Sequence, residues 1–271
     1  MADNEKRCVI TGLGMINAIG NTVDESWNNC INGVSGIKEV RSIDTSDCYA
    51  HLGAESAEHF DVDAGDDAQK MDRVSLLCVK AANEAIKDSG IVIDDNNADR
   101  VGVIMGSCVG GAVSIQKFFT DRHNAEGSED ASDIIKMPIG VIANNVAKIA
   151  GVKGVVTNVG NACAASTISI EYACDLIRAG VGDAFIVGGA DSFSALAFGG
   201  FTALMHSIRI RVHHITRARE LHSEKAQEHL SLNHMSTLLQ EMRRFTAMYS
   251  AAESVPMHTI SQHRDLTVKA R

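Results

Sequence analysis

The residue best suited to covalent chemistry is Cys163, because of what surrounds it. The run Gly154-Val-Val-Thr-Asn-Val-Gly-Asn-Ala-Cys163-Ala-Ala-Ser-Thr reads as a short buried strand over 155–159, then a turn of small residues over 160–162. A helix follows over 164–178 and stops at Gly180. A thiol at the mouth of a helix feels the positive end of the macrodipole, which favours its thiolate. Small neighbours leave room for a substrate carbonyl. This is the strand–turn–helix logic of a nucleophile elbow, with sulfur in place of oxygen. A buried core cysteine is the competing reading, since burial is the commonest fate of an unbridged Cys. Spacing alone leaves both open.

Other chemistry-bearing patterns are weaker. A strand over 8–11 runs into Gly12-Leu-Gly14, read as its turn, and Gly12-x-Gly14 invites a dinucleotide-binding reading. The third glycine is missing and no acidic residue follows a second strand, so no cofactor is expected. The seven cysteines include no C-x-x-C pair, so neither a disulfide framework nor a zinc site is indicated.

The elements that must position Cys163 alternate. Thr22-Val-Asp-Glu25 is a capping box opening a helix through about Ile31, and 37–67 is a polar, irregular excursion. Residues 71–89 form a strong helix: Val74, Leu77, Cys78, Ala81, Ala82, Ala85 and Ile86 share one face, and Gly90 ends it. A buried strand spans 100–106, and Gly110-Gly111 opens a helix to about Phe119. An acidic loop over 122–133 precedes an apolar helix over 139–150, closed by Gly151. After the Cys163 helix, Ala184–Val187 is one more strand, followed by Gly188-Gly-Ala-Asp191. Alternation of this kind predicts an α/β fold with a mostly parallel sheet covered on both faces.

Composition narrows the class. The chain has 271 residues, 45% of them apolar and only 4% aromatic, so its core is aliphatic. The charged opening is no signal peptide, and no run approaches the ~18 apolar residues a membrane span needs. A reducing cytoplasm fits. The net charge of -9 argues against nucleic acid as a main partner. That average hides a break. No glycine occurs after Gly200, and eight of the 11 histidines lie at or beyond His206. From Ser207 onward there are 10 Lys and Arg against 6 Asp and Glu, a reversal of sign.

Six separated motifs occur in an order that resembles the β-ketoacyl-acyl-carrier-protein synthases: Val9-Ile-Thr-Gly-Leu-Gly14, Met71-Asp-Arg73, Gly106-Ser-Cys-Val-Gly-Gly111, Asn161-Ala-Cys-Ala-Ala-Ser166, Gly188-Gly-Ala-Asp191 and Phe198-Gly-Gly-Phe201. The chain resembles the elongating, Cys-His-His type on the thiolase fold, from about Lys6 to Leu204. The resemblance implies the N-terminal half of a thiolase-like layered fold over 1–205, with a non-homologous tail over 206–271. It implies that Cys163 is the nucleophile and that Val109, Ile139 and Phe201 are acyl-pocket positions; on physics alone these three are ordinary core residues. It also implies a decarboxylating Claisen condensation. Cys163 takes an acyl group from an acyl carrier protein, a malonyl thioester loses carbon dioxide, and its carbanion attacks the acyl-cysteine. The Cys163 backbone N–H forms part of an oxyanion hole. The implied partners are acyl and malonyl carrier protein and a second copy of the chain, in fatty acid or polyketide biosynthesis.

The family draws two catalytic histidines and a lysine from a second half that the tail does not match as written. His213, His214, His222 and His258 are poor replacements, because no glycine-bounded strand is expected to hold them. Another reading frame accounts for the break. There, 257–264 permits Ala-His-His-Ile-Thr-Ala-Pro, 217–222 permits Gly-Glu-Gly-Ala-Ala and 242–250 permits Ala-Lys-Ile-Tyr-Cys-Tyr-Val-Phe. The first two resemble motifs of the missing half. A frameshift near codon 206 explains the lost glycines, the charge reversal and the histidine excess together. The tail is then expected to be mostly loose, with helix near 223–248. Three functions compete. One is a condensing enzyme impaired by truncation. Another is a non-catalytic remnant or partner subunit that binds acyl carrier protein or dimerises. The third is a coenzyme A acyltransferase of thiolase type, which the context of Cys163 disfavours.

Overall fold

The computed structural model describes residues 7–48, 50–124, 131–203 and, for its backbone, 255–261. In chain order the strands and α-helices are β1 (Val9–Ile16), α1 (Val23–Ile31), β2 (Ile37–Glu39), β3 (Leu52–Ala54), α2 (Arg73–Ser89), β4 (Val101–Gly106), α3 (Ala112–His123), α4 (Ser132–Ile135), α5 (Gly140–Ala150), β5 (Val156–Val159), α6 (Ala165–Arg178), β6 (Ala184–Gly189) and β7 (Val255–Ser261). Residues 195–203 are also helical.

Five strands form one sheet in the order β1-β7-β6-β4-β5. β4 pairs in parallel with β5 and β6, whereas β7 runs antiparallel to both β1 and β6. The sheet is therefore mixed and mostly parallel, as expected. All six residues of β4 and all six of β6 are buried, the mark of strands covered on both faces. Side chains alternate between the faces. Val103, Met105 and Ile186 meet α2 and α5, while Ile104, Phe185 and Val187 meet Ala173 and Ile177 of α6.

Caps set the helix ends. Thr22 accepts the Glu25 N–H at 3.2 Å, and Glu25 reaches back to the Asn21 N–H at 2.8 Å, a box shifted by one residue. Asp72 caps α2 by accepting from Val74 N–H at 2.9 Å, and its other oxygen takes the Ser114 N–H of α3 at 2.8 Å. One buried carboxylate thus fixes two helix starts. Gly90 and Gly151 close α2 and α5 with φ of 68° and 72°, in the left-handed region where glycine is favoured.

Four expectations need correction. Gly12 and Gly14 do not turn the chain; both lie inside β1. Their glycine identity serves close packing, because a Cβ at Gly12 or Gly14 would run into the Ala85 or Ala81 carbonyl of α2. The excursion over 37–67 is not wholly irregular: β2 and β3 pair as a small antiparallel ladder. The acidic 122–133 stretch is not all loop, since α3 continues to His123 and α4 begins at Ser132. Finally, a strand does hold His258. Its backbone lies in β7, opposite Leu13 on one side and Val187 on the other. The reason is general: β1 and β6 each present a row of N–H and C=O groups that must be paired when buried. A β-branched run such as Val255-Pro-Met-His-Thr-Ile260 can fill that slot. Pro256, which has no N–H, sits near the strand end opposite Met15, beyond the pairing with β6. His213, His214 and His222, and the helix expected near 223–248, lie outside the described residues.

The outer edge of β1 is guarded from α2. Asp88 accepts the Leu13 N–H and Glu84 the Met15 N–H, each at 2.9 Å. Glu84 also takes the Val23 N–H at 2.9 Å, tying the start of α1 to the same helix.

Candidate functional site

The site forms where β4, β5 and β6 end, on the carboxyl side of a parallel sheet where open α/β folds place their ligands. β5 leads into Gly160 and then a single 3₁₀ turn over Ala162–Ala164, from which α6 begins at Ala165. Ala162 has φ of 41° and is the sole non-glycine with positive φ among the described residues. A strained residue immediately before Cys163 marks a sharp strand-to-helix bend. Cys163 itself is exposed and forms no disulfide. No side chain caps α6; the N–H groups of Ala164 and Ala165 donate to the Asn161 and Ala162 carbonyls of the turn that carries Cys163. The elbow expected from the sequence is present, and the buried-core reading of Cys163 falls away. The helix proper starts one residue later than expected.

Two glycines let α6 sit on the sheet. A Cβ at Gly106 would lie 2.6 Å from the Ser166 N, and one at Gly189 would strike the Ser166 hydroxyl. Asn158 locks β5 from the other side. It donates to the Met105 carbonyl at 3.0 Å and accepts the Ala143 N–H of α5 at 3.1 Å.

The loop after β4 makes the second wall. Ser107 N–H donates to the Val159 carbonyl at 3.1 Å, carrying the β4–β5 ladder one step further. Asp191, just past β6, accepts from the Ser107 hydroxyl at 2.7 Å, from Cys108 N–H at 2.8 Å and from Val109 N–H at 3.0 Å. Gly110, with φ of 59°, gives its N–H to the Ser107 hydroxyl at 3.0 Å. Ile139 fills the space between the two walls: it is the side chain nearest a Cβ built at Gly160, 3.5 Å away, and its Cγ1 is 3.1 Å from one at Gly110.

The structure therefore brings Cys163, Ile139 and the Val109 loop to one place, with Val109 and Ile139 half-buried. Phe201 differs. It lies in helical residues 195–203, is 62% exposed and does not share their burial. That helix is tied to α3 by the Ala195 N–H, which donates to Gln116 Oε1 at 3.0 Å. Sequence reasoning singled out the Gly188-Gly-Ala-Asp191 motif but gave Asp191 no task. Its signal is an acid two residues past a glycine-ended strand.

The thiols differ electrostatically. Burial drives the Cys78 thiol far above the ordinary value, with the Asp191 charge adding to it. Cys108, beside Cys163, is raised by burial first, then by Asp191 and by Cys163. Cys174 on α6 is pushed up to about 11, chiefly by burial and then by Cys8. Two open depressions around His59 and Phe60 lie on another part of the molecule and contain none of these groups. Among the described residues no cluster of His, Cys, Asp and Glu could hold a metal ion, and no helix is long and apolar enough to cross a membrane.

Comparison with known proteins agrees with this geometry. Residues 5–218 match the family described as beta-ketoacyl synthase, N-terminal domain. The chain is 35% identical over 203 residues to 3-oxoacyl-[acyl-carrier-protein] synthase 2 of Staphylococcus aureus (strain N315), covering 73% of this chain and 49% of that protein. It is 32% identical over 209 residues to the enzyme of the same name from Vibrio cholerae, covering 74% and 49%. The chain thus spans about half the length of the curated relatives it matches. Among solved structures, the ishigamide ketosynthase/chain length factor is 28% identical with a TM-score of 0.67, over 74% of this chain and 51% of that one. A beta-ketoacyl synthase from Burkholderia phymatum STM815 shares the fold at 23% identity, with a TM-score of 0.70 over 95% and 59%.

Proposed function

Since the chain belongs to the β-ketoacyl synthase family, through that family's N-terminal domain, we propose that Cys163 is its acyl-accepting nucleophile in a decarboxylating Claisen condensation of fatty acid or polyketide biosynthesis. The observation that carries this is the exposed Cys163 at a strained strand-to-helix bend, two residues before α6 begins. The thiolate attacks the carbonyl of an acyl-carrier thioester, the carrier thiol leaves with the proton, and an acyl-Cys163 remains. The C–CO₂ bond of a malonyl thioester then breaks. Its electron pair forms the enolate, which attacks the acyl-cysteine and expels the Cys163 thiolate. The Cys163 N–H and the first turn of α6 support the oxyanion in both acyl steps. Val109, Ile139 and Phe201 line the path of the acyl chain, and the protein acts in the cytoplasm as a homodimer served by acyl carrier protein.

Residues 206–271 are the out-of-frame remnant of a second half that supplied two histidines for the enolate. Losing such a preorganised donor typically costs on the order of 10²-fold or more in rate. The expected outcome is a slow acyl-Cys163 adduct and no β-ketoacyl product when the chain is incubated with acyl- and malonyl-carrier protein and followed by mass. Condensation that vanishes in Cys163→Ala would mean that the tail supplies working histidines. Sequencing the DNA from codon 200 onward tests the frame directly; an uninterrupted frame matching independent clones sinks the remnant reading. A second reading, a partner subunit that does not condense, is supported by the likeness to the structure titled ishigamide ketosynthase/chain length factor.

A further inference from the structure

We propose that Asp191 is a positioning residue of this site: one carboxylate gathers the 107–109 loop so that Cys163, and not its neighbour Cys108, is the thiol presented to an acyl donor. The inference rests on the acyl-transfer reading above for its substrate, but not for its geometry.

Two accessible thiols share one mouth. Cys108 and Cys163 are both exposed. Cys108 lies two residues past Gly106, Cys163 lies two residues before Ala165, and a Cβ at Gly106 would fall 2.5 Å from the Ala165 carbonyl carbon. Acyl transfer to either thiol is the same reaction, in which a thiolate attacks the thioester carbonyl and the carrier thiol departs with the proton. An acyl group on Cys108 would sit on a loop rather than at the helix start. Selection between the two thiols is therefore a requirement of the site.

Asp191 meets that requirement twice. The Ala190 N–H donates to the Gly106 carbonyl at 3.0 Å, which delivers Asp191 to the loop. The carboxylate then takes the Ser107 hydroxyl and the N–H groups of Cys108 and Val109. Through Ser107 it also fixes Gly110. The backbone that carries Cys108 cannot move without breaking these bonds. The same negative charge, after the larger effect of burial, pushes the Cys108 thiol above its ordinary value, with the neighbouring Cys163 adding to it. Lys136, on the segment that packs against Gly111, is committed to Asp133 at 2.7 Å.

The test is iodoacetamide labelling of the whole chain between about pH 7 and about pH 10, with Cys108 and Cys163 peptides quantified by mass. In the parent chain Cys163 is alkylated ahead of Cys108. In Asp191→Asn, which keeps the shape and removes the charge, Cys108 labelling at pH 8 rises on the order of threefold or more and its midpoint moves to lower pH. The Cys163 to Cys108 ratio falls. An unchanged ratio overturns the proposal. So does a parallel rise of both thiols with no shift of the Cys108 midpoint, which is what mere loosening of the loop would give. If Asp191→Asn loses its circular dichroism, Ser107→Ala is read instead. It removes one donor and keeps the charge, so the ratio should fall with the midpoint unmoved; a constant ratio overturns the proposal. Acyl-Cys163 formation from an acyl-carrier thioester is followed in parallel. No adduct in any variant, with the labelling shifts present, removes the acyl-transfer reading and leaves Asp191 as the selector. A normal adduct with no labelling shift does the reverse.

Discussion

The two faces of the sheet are built to different standards. On one face α2 and α5 close over β1, β4 and β6, and the apolar cluster runs without a break from Ile16 through Leu77, Cys78 and Met105 to Ile142 and Val146. On the other, α6 packs a small cluster of Ile104, Ala173, Ile177, Phe185 and Val187, and its outward side carries exposed Glu171, Tyr172, Asp175 and Arg178. The thicker face carries no candidate chemistry. The thinner one carries Cys163, at the start of the helix that covers it. Stability and reactivity are thus separated across a single sheet: one side is packed to hold the strands, and the other leaves a helix end accessible.

Cavity-forming substitutions should expose the contrast most. Leu77→Ala should cost about 4 kcal/mol, because the sheet and α5 hold the void open, and Ile177→Ala about 2 kcal/mol, because α6 can settle inward from its solvent side. Urea denaturation measures both, and equal costs would break the comparison. The thiols sharpen it further. In the native chain Cys174 should react with iodoacetamide as the pH nears its raised value of about 11, while Cys78 stays unlabelled until the chain unfolds. Equal protection of Cys78 and Cys174 at high pH would mean the two faces are equally closed. The smallest effect is expected on the outer side of α6, where Tyr172→Ser should change stability by less than about 0.5 kcal/mol. A larger loss would show that something further covers this helix.

Much of this was legible in the sequence where local pattern decides structure. The 3–4 spacing from Val74 to Ala85, the stop signals at Gly90 and Gly151 and the small-residue bend before Cys163 all act within one turn or strand, and each emerged close to its expected place. What was not legible depends on distant partners. Gly12-x-Gly14 looks like a turn until α2 is laid against it, since only the Ala81 and Ala85 carbonyls make the missing Cβ necessary. Asp191 sits 82 residues from one of the N–H groups it holds, and no periodicity announces such a pairing. Asp72 reads as a cap for its own helix, and its hold on Ser114 requires the fold. β7 is the extreme case. Its place follows from unpaired edges on β1 and β6, a demand written in those strands and not in residues 255–261.

That interior strand imposes an order of assembly. Val9 and Ser261 are partners, so their pairing closes the largest loop in the sheet and comes late by entropy. β4, β5 and β6 can join as soon as the first 189 residues exist. β1 can meanwhile dock on α2 through Glu84 and Asp88. During synthesis the nascent chain therefore holds two finished pieces with an open slot between them, and the slot closes only when residues 255–261 arrive. Pulse-labelled hydrogen exchange should find β4–β6 protected before β1, and during that interval the facing edges of β1 and β6 stand open to exchange and to pairing with other chains.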